Sequence, residues 1–499
     1  MHIGSGMKSS MALALSGFVG MVFAGCIADG DQPEGDGTST SDDALPDEAT
    51  EYDAIVARCS NNDHDLPNNV PVGDASGVFT TVSAHGSIDL DNEFFQDLGT
   101  NGRRCVSCHV PTVGWTITPK QLRATFELSA GGKYDDGLGL SAVFRTVDGS
   151  NSPNADVSTL AKRRQAYSML LNRGVIRIGL PIPANAEFTL EKVDDPYHFA
   201  SDKELSLFRR PLPTTNLKFD STVMWDGREV VPGATVESEF LTQASDATVA
   251  HAQGKPLNQA QRASIVSFIT ALASAQIIDR NAGHLNEQGA KGGPAQILKE
   301  TFYIGINDNF GDSKTHAPFN PIVFNIYDAW TKAKGYNDAA RRQIARGQAL
   351  FNTKPISIVG VSGINDEAVF GTPAKLVGTC TTCHDTPNGG SHSIVAPLNI
   401  GLVDESRRTA DMPLYTLRNK TTGETVKVTD PGRALIDGKW SHIGRFKGPM
   451  LRNLAPRAPY FHNGFAADLQ AVVDFYDERF AIGFTKAEKA DLIAFLRSV

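Results

Sequence analysis

The stretch Cys105-Val106-Ser107-Cys108-His109 decides how this chain is interpreted. A Cys-X-X-Cys-His run is typical of c-type haem attachment, in which two thiols bind the haem vinyl groups and the adjacent imidazole binds the iron. Half of a zinc site, or a chance match, is the alternative. The pattern recurs at Cys380-Thr381-Thr382-Cys383-His384, so four of the six cysteines belong to two copies of one motif. The sequence therefore predicts two covalently bound c-type haems.

The composition is that of an ordinary globular protein with room for two or three domains. The 499 residues are 41% hydrophobic and 21% charged, and the formal net charge is −9. Residues 29–53 carry ten Asp or Glu and no Lys or Arg, so the remainder of the chain is close to neutral. Because no basic run or basic face is apparent, we expect no binding to nucleic acid.

The first 25 residues are predicted to be an export signal. Lys8 precedes an apolar run over 11–24 that is too short to span a membrane. The run ends in Phe23-Ala24-Gly25-Cys26, which resembles the lipobox of bacterial lipoprotein signals; an ordinary signal peptide is the alternative. Residues 26–70 are acidic and poor in apolar residues, which predicts a disordered tether. We therefore expect a periplasmic protein, anchored by lipid to the bacterial outer membrane and without other membrane contact.

Two helices with matching starts indicate an internal repeat. Asn258-Gln259-Ala260-Gln261 and Thr485-Lys486-Ala487-Glu488 both have the pattern of a helix N-cap. In both, an apolar cluster begins seven residues after the cap. The second half is predicted to open at Arg341 and to run through Phe351. We therefore predict a mainly α fold with two cytochrome c-like haem domains in tandem, over 75–276 and 341–499, joined by a connection over 277–340.

Two segments carry a β pattern within this helical scheme. Val175 to Ile178 is predicted to pair with Phe188 to Val193. Tyr415 to Leu417 and Thr425 to Val428, with a turn near Thr422-Gly423, are predicted to form a hairpin. We expect both to be small β insertions, together with long loops, in helical domains.

The remaining motifs occur in the order of one known family. The segments Gly444 to Asn453 and Ala458 to Gly464 precede Leu469 to Tyr476, and Met224-Trp225-Asp226-Gly227-Arg228 lies in the first half. With the two haem motifs, they resemble the bacterial di-haem cytochrome c peroxidases and the related MauG enzymes over roughly residues 75–499. The resemblance implies an oxidoreductase that reduces hydrogen peroxide at the N-terminal haem, with electrons relayed by the C-terminal haem.

The resemblance also implies a role for each haem ligand. His109 and His384 would bind the two irons on the proximal side. Tyr476 stands where MauG-like members carry the second axial ligand of the C-terminal haem, and a phenolic oxygen donor lowers the reduction potential relative to a thioether. The alternatives are Met450 as the ligand, or Tyr476 as a buried aromatic residue. Trp225 would lie between the haems and relay electrons.

The N-terminal haem is predicted to keep an open sixth position for peroxide. Family members often have a second His soon after the motif, whereas here the next one is His198; Met169 or a distant His filling the position is the alternative. Gln243 matches a Gln of the family, but the tenth residue after it is Gln253 where a Glu is usual. We therefore predict His251 as the acid–base group, with a purely structural histidine as the alternative.

The partners implied by the family are hydrogen peroxide and a small redox protein, either a cytochrome c or a cupredoxin, as electron donor. A calcium ion near Ala458-Pro459 is also implied, although Arg457 stands where a Thr is common. Two other functions stay open: a purely electron-transferring cytochrome with both irons six-coordinate, and a di-haem oxygenase acting on an organic or protein substrate.

Overall fold

A computed structural model describes residues 64–134, 136, 139–146, 149–335 and 337–499. The predicted export signal over 1–25 and most of the predicted tether over 26–70 lie outside these residues. The α-helices of the described part are α1 Pro119–Leu128, α2 Leu160–Ala166, α3 Ser168–Arg173, α4 Val236–Ala252, α5 Gln259–Ala271, α6 Pro294–Ile297, α7 Asp338–Thr353, α8 Ala434–Asp437, α9 Leu469–Phe480 and α10 Lys486–Ser498.

Short 3-10 turns and strands fill much of the space between these helices. The strands are β1 Asp65–Pro67, β2 Pro71–Gly73, β3 Gly77–Ser83, β4 Ser87–Asp89, β5 Ile176–Leu180, β6 Phe188–Asp194, β7 Leu205–Arg209, β8 Leu272–Asp279, β9 Gly283–His284, β10 Ile356–Ile358, β11 Leu376–Gly378, β12 Leu414–Asn419 and β13 Thr425–Val428. They form a four-stranded sheet in the order β2-β3-β8-β9, a three-stranded sheet in the order β13-β12-β6, and the antiparallel pairs β1-β4, β5-β7 and β10-β11.

The prediction of a mainly α fold is wrong, because the structure is mixed α/β. Of the described residues, 32% are helical and 17% lie in strands or bridges. The helix that begins at Gln259 ends at Ala271, and the next residue, Leu272, opens β8. This strand pairs with β3, whose residues are all buried. Helical spacing in the sequence identified the long helices. It could not identify these buried strands, because they lack the alternation of apolar and polar residues that marks a half-exposed strand.

The two predicted β insertions have different outcomes. The hairpin is confirmed, since β12 pairs with β13 and Leu417 lies opposite Val426. The other pairing is wrong: β5 pairs with β7, and β6 pairs with β12 of the second half. Alternation of apolar residues predicts a strand but does not predict its partner, and here the partner of β6 lies more than 200 residues away in the sequence.

The predicted capping boxes are confirmed at both repeated helices. The Asn258 side chain accepts a hydrogen bond from the N–H of Gln261, and Thr485 accepts one from Glu488. In each case the third residue of the helix bonds back to the cap, so orphan N–H groups are satisfied at both starts. Arg341 to Phe351, where the second half was expected to open, lie within α7.

The repeated helices pack against the two histidine motifs in the same way. Phe268 of α5 contacts Phe94, with 5.3 Å between ring centroids, and Phe94 lies 6.2 Å from the ring of His109. Phe495 of α10 contacts Phe351 at 5.8 Å, and Phe351 lies 6.1 Å from the ring of His384. Each motif therefore rests on a phenylalanine pair at equivalent positions, which is a structural repeat.

The halves of the chain are joined by a buried ion cluster as well as by the β6–β12 pairing. The guanidinium of Arg209 on β7 bonds to Asp226, and its Nε lies 2.7 Å from a carboxylate oxygen of Asp430. All three side chains are almost fully buried. The pKa of Asp226 is held at about 2, because the attraction of Arg209 outweighs the effect of burial. This cluster fixes the Trp225-Asp226-Gly227-Arg228 segment against the second half.

No helix of the residues described here combines the length and apolar character needed to cross a membrane.

Candidate haem-binding sites

Each Cys-X-X-Cys-His motif begins on a 3-10 turn. In the first, over Cys105–Ser107, the Ser107 Oγ accepts a hydrogen bond of 3.0 Å from the N–H of Arg104. The N–H of His109 donates to the carbonyl of Cys105 at 3.0 Å. The turn therefore brings the two cysteines and the histidine to one side of the chain, as attachment to one macrocycle requires.

The second motif repeats this arrangement bond for bond. Over Cys380–Thr382, the Thr382 Oγ1 accepts a 3.0 Å hydrogen bond from the N–H of Thr379. The N–H of His384 donates to the carbonyl of Cys380 at 3.2 Å. A hydroxyl residue before the second cysteine is thus the local reason that both turns close in the same way.

Both imidazoles are prepared to bind a metal. The Nδ1 of His109 lies 3.3 Å from the carbonyl of Trp115, and that of His384 lies 2.5 Å from the carbonyl of Gly390. A carbonyl can only accept, so Nδ1 carries the proton and Nε2 is the atom available to a metal. Burial lowers the pKa of His109 to about 4 and also lowers that of His384, so both rings are neutral.

No disulfide bond joins Cys105, Cys108, Cys380 or Cys383 to another described residue. Burial raises the pKa of Cys105, Cys380 and Cys383 to about 12. Within the described ranges, neither cysteine pair belongs to a group of three or more His, Cys, Asp or Glu side chains whose ligand atoms converge. A structural zinc site needs four such ligands, so the zinc alternative is disfavoured.

A cavity of about 220 Å³ surrounds the second motif. Cys380, Cys383 and His384 line it together with Tyr476, Met450 and Trp225. Burial, followed by the nearby thiols of Cys383 and Cys380, raises the pKa of Tyr476 above its usual value. The structure thus brings Tyr476 to the cavity of His384, as predicted, but Met450, the alternative ligand, lines the same cavity.

The polar atoms of this cavity fit a haem. Both ring nitrogens of His462 are buried and have no hydrogen-bond partner among the described residues, although the ring stacks on Phe446 at 3.9 Å. Arg457 also lines the cavity, and its buried Nε lacks a partner in the described part of the chain. Buried donors left without partners are rare unless a ligand satisfies them. Two haem propionates are groups that would do so.

The position at which we expected calcium does not fit that ion. The carbonyl of Arg457, beside Ala458-Pro459, accepts a 3.0 Å hydrogen bond from Nη2 of Arg210. Both guanidinium groups are buried, and each lies close to the other, since the charge of Arg457 lowers the pKa of Arg210. A divalent cation there would be repelled by two positive charges and would lack this carbonyl as a ligand.

The N-terminal site is faced by α4, which carries Gln243 and His251. Arg103 Nη1 and Asn101 Nδ2 donate to the carbonyl of His251 at 3.2 and 2.8 Å, which fixes the end of the helix next to the haem motif. Burial lowers the pKa of His251 to about 3, and positive charge on Arg103, Arg228 or His109 adds to the effect. His251 is therefore a neutral imidazole close to His109.

Gln243 lies two turns before His251 on α4, about 12 Å along the helix axis at 1.5 Å per residue. Gln243 is half-buried, whereas Gln253, at the position where the family has Glu, is exposed at the left-handed C-cap of the helix with φ of 54°. Gln243 and His251 thus lie on the same helix, whereas Gln253 lies at its exposed end, away from the site.

Trp225 lies where the two sites meet. Its indole Nε1 donates to the carbonyl of Arg210 at 2.7 Å, and its ring lines the cavity of His384. The preceding residue, Met224, packs against the core cluster that includes Cys105. Adjacent residues of one motif therefore touch both candidate haem sites.

Met169 and His198, the next histidine after the motif, lie away from the first haem site. His198 is exposed. Met169 is buried in a separate cluster with Val175, Phe208 and Met412. Neither packs with the cysteines of the first motif, whereas His251, a histidine distant in the sequence, lies close to His109, so the open position stays a prediction.

Sequence reasoning missed two carboxylates near this site. Glu239, one turn before Gln243 on α4, is buried; its Oε1 accepts a 3.0 Å bond from the N–H of Val231, while Oε2 lacks a partner among the described residues. Burial raises the pKa of Glu239, and it also raises that of Glu229, with the charge of Asp246 adding to it. In the sequence, Glu229 could have been found as a candidate because it directly follows the Trp225 to Arg228 motif.

Comparisons with known proteins agree with the motifs. No family model matches the chain. Among curated proteins, it is 30% identical over 132 residues to cytochrome-c peroxidase IdrP2 of Denitromonas iodatirespirans, covering 24% of this chain and 36% of that protein. It is 28% identical over 187 residues to cytochrome-c peroxidase IdrP1 of Pseudomonas sp. (strain SCT), covering 34% of this chain and 42% of that protein. The matches therefore span less than half the length of these relatives.

Among solved structures, a MauG-like protein associated with microbial copper homeostasis aligns with a TM-score of 0.32 and 16% identity, over 60% of this chain and 77% of that one. That similarity is too low to assign a fold. The curated relatives, however, confirm the resemblance to cytochrome c peroxidases that the sequence motifs predict.

Proposed function

We propose that this chain is a di-haem c-type oxidoreductase that reduces hydrogen peroxide at the haem of His109, with electrons relayed by the haem of His384. The haems would be covalently bound through Cys105 and Cys108 and through Cys380 and Cys383. A small cytochrome c or a cupredoxin would supply the electrons. Residues 75–276 and 341–499 would form the two cytochrome-like units of the enzyme.

The observation that carries the proposal is the repeated proximal arrangement. Two Cys-X-X-Cys-His turns present neutral imidazoles whose Nδ1 atoms are held by backbone carbonyls six residues later. The two equivalent turns support the binding of two haems. The relatives named cytochrome-c peroxidases support a reaction with peroxide. Bound haem would supply iron that exchanges electrons and, at an open position, binds peroxide.

The two sites are proposed to differ on the side opposite the proximal histidine. Tyr476 would close the second site by binding its iron, which makes that haem an electron store. At the first site, α4 presents Gln243 and His251 and leaves the position open. Trp225 would shorten the path of the electron between the two.

His251 would accept and return a proton during cleavage of the peroxide bond. Since its pKa is about 3, the ring is neutral over the physiological range and is free to accept a proton. The same low pKa makes it a weak base, because burial, followed by the charges of Arg103 and Arg228, disfavours the imidazolium. Gln243 would donate a hydrogen bond that orients the peroxide.

The test is spectroscopic and uses the haem-loaded protein. We expect a ferric spectrum with one high-spin and one low-spin haem, binding of one cyanide per chain, and a rapid spectral change on stopped-flow mixing with peroxide. Absence of a high-spin haem together with absence of cyanide binding would establish the alternative of a pure electron-transfer cytochrome.

The oxygenase alternative rests on the missing Glu, since Gln253 stands in its place and is exposed. Oxygen uptake without added peroxide, on a candidate organic or protein substrate, would favour it. Oxygen uptake that occurs only after addition of a reductant, with release of peroxide, would not favour the oxygenase alternative.

We also propose a periplasmic location with a lipid anchor at Cys26. In a bacterial host, the full-length chain is expected in the outer-membrane fraction, and Cys26→Ser is expected to release it into the soluble periplasmic fraction. Retention of the variant in the membrane fraction would contradict the anchor.

A further inference from the structure

A second cluster of potential metal ligands lies beside the haem motif of His384. Asp308, Asp385 and His392 each offer a ligand atom, and these atoms all lie within 4.8 Å of one another. Asp308 is 8% exposed, Asp385 is fully buried and His392 is 6% exposed. None of the three belongs to the sites derived from the sequence motifs.

The hydrogen bonds of the cluster leave ligand atoms free. Asp308 Oδ1 accepts the N–H of Phe310 at 2.9 Å, but Oδ2 is buried and has no partner among the described residues. Asp385 accepts the N–H and the hydroxyl of Ser393 at 2.6 and 3.1 Å. His392 Nδ1 is likewise buried and unpartnered in the described part, and Nε2 lies 3.7 Å from Asp385. Asp308 and His392, each more than nine-tenths buried, therefore each carry one unsatisfied atom, and Nε2 of His392 is the ring nitrogen that lies near Asp385.

The charges of the cluster are also unbalanced. Within the described ranges, neither Asp308 nor Asp385 forms an ion pair with a Lys or Arg. The nearby Lys447 pairs instead with Asp220 at 2.9 Å. Two buried carboxylates without a cation are unfavourable, whereas a divalent cation between them neutralises both.

The cluster has a route to solvent. Asp308 and His392 line a surface cavity of about 540 Å³. Two basic side chains of this cavity are neutralised by ion pairs, Arg445 with Glu367 at 2.6 Å and Arg433 with Asp437 at 3.1 Å, and Lys439 also lines it. Asp308 and His392 therefore connect the buried cluster to a cavity through which a cation can approach it.

We propose that Asp308, Asp385 and His392 bind one divalent first-row transition-metal ion. An imidazole with two carboxylates is a donor set for such ions, since calcium and magnesium take oxygen ligands almost exclusively. The site is separate from the position near Ala458-Pro459. Because Asp385 and His392 bracket the loop whose Gly390 carbonyl holds His384 Nδ1, the ion would tie this loop to Asp308 and position the proximal histidine.

The test measures metal binding directly on the haem-loaded protein, after dialysis against chelator, by calorimetric titration with Zn²⁺, which has no redox chemistry of its own. We expect one Zn²⁺ per chain. Asp308→Asn and His392→Gln should each weaken binding by at least about 10-fold, the loss typical even of groups that only support a ligand. Asp202→Asn, an exposed carboxylate elsewhere, should bind as the wild type does.

Haem absorbance and thermal melting confirm that each variant is folded; if His392→Gln does not fold, Asp308→Asn carries the test. Absence of Zn²⁺ binding to the wild-type protein would overturn the proposal, as would equal Zn²⁺ affinity in wild type and Asp308→Asn. Binding of Ca²⁺ in preference to Zn²⁺ would also overturn it, since it would exclude the imidazole as a ligand.

Discussion

The two Cys-X-X-Cys-His regions are nearly identical on one side of the histidine and unlike on the other. On the proximal side, both have the same turn, the same carbonyl six residues later and the same phenylalanine pair. On the opposite side, α9 brings Tyr476 to His384, whereas α4 brings Gln243 and His251 to the site of His109. The repeated part is built from nearby sequence, and the part that differs comes from distant segments, so the latter is where function can diverge.

The largest expected effect separates the two histidines. His109→Ala should abolish cyanide binding and the rapid reaction with peroxide, because the proposed function makes that site the open one. His384→Ala should retain cyanide binding and lose the low-spin haem signal. Cyanide titration of both variants checks this, and loss of binding only in His384→Ala would reverse the assigned roles.

Removal of His251 tests what makes the first site reactive. His251→Ala should slow the reaction with peroxide by about 100-fold, the lower end of the range for a general acid–base group, because its low pKa makes it a weak base. The rate constant comes from stopped-flow mixing. His198→Ala, at an exposed histidine, is the matched control, and equal rates in both variants would remove His251 from the mechanism.

The phenylalanine pairs test whether the proximal sides are equivalent. Phe94→Ala and Phe351→Ala should each destabilise the protein by about 3–5 kcal/mol, since both rings are buried against a histidine and a helix phenylalanine. Denaturant unfolding followed by haem absorbance measures the cost. A loss of unfolding free energy below about 1 kcal/mol at only one of the two positions would show that the two regions are not equivalent.

The ligand of the second site can be altered without touching the first. Tyr476→Met should raise the reduction potential of one haem by on the order of 0.1 V, within the span of about 0.8 V that axial ligands control. Redox titration of each haem band measures the shift. Met450→Leu should leave the potential unchanged; a shift in this variant instead would assign Met450 as the ligand.

The smallest expected effect concerns the turn hydroxyls. Thr382→Ala should cost about 1 kcal/mol, as loss of a helix cap does. Ser107→Ala should cost somewhat more, because Ser107 Oγ also donates to the carbonyl of Gly139 at 2.7 Å. Unfolding midpoints compare the two, and a larger cost at Thr382 would contradict the bonding described.

The features that could be predicted from the sequence are those fixed locally. The capping boxes at Asn258 and Thr485 and the hairpin of β12 and β13 depend on residues within about ten positions of one another, and all are confirmed. The strand β8 and the partner of β6 depend on burial and on distant segments, so they were missed. For the same reason the sequence did not reveal Asp308 converging with His392, or Glu239 beside Gln243.

The pairing of β6 with β12 constrains how the chain can be divided. A fragment that ends before β12 would leave β6 as an open edge strand, with backbone groups free to pair with another chain. The same cut would remove Asp430 from Arg209 and leave part of a buried ion cluster uncompensated. Expression of the first half alone should therefore give aggregates, and during synthesis this half would need protection from self-association until residues 414–419 have been made.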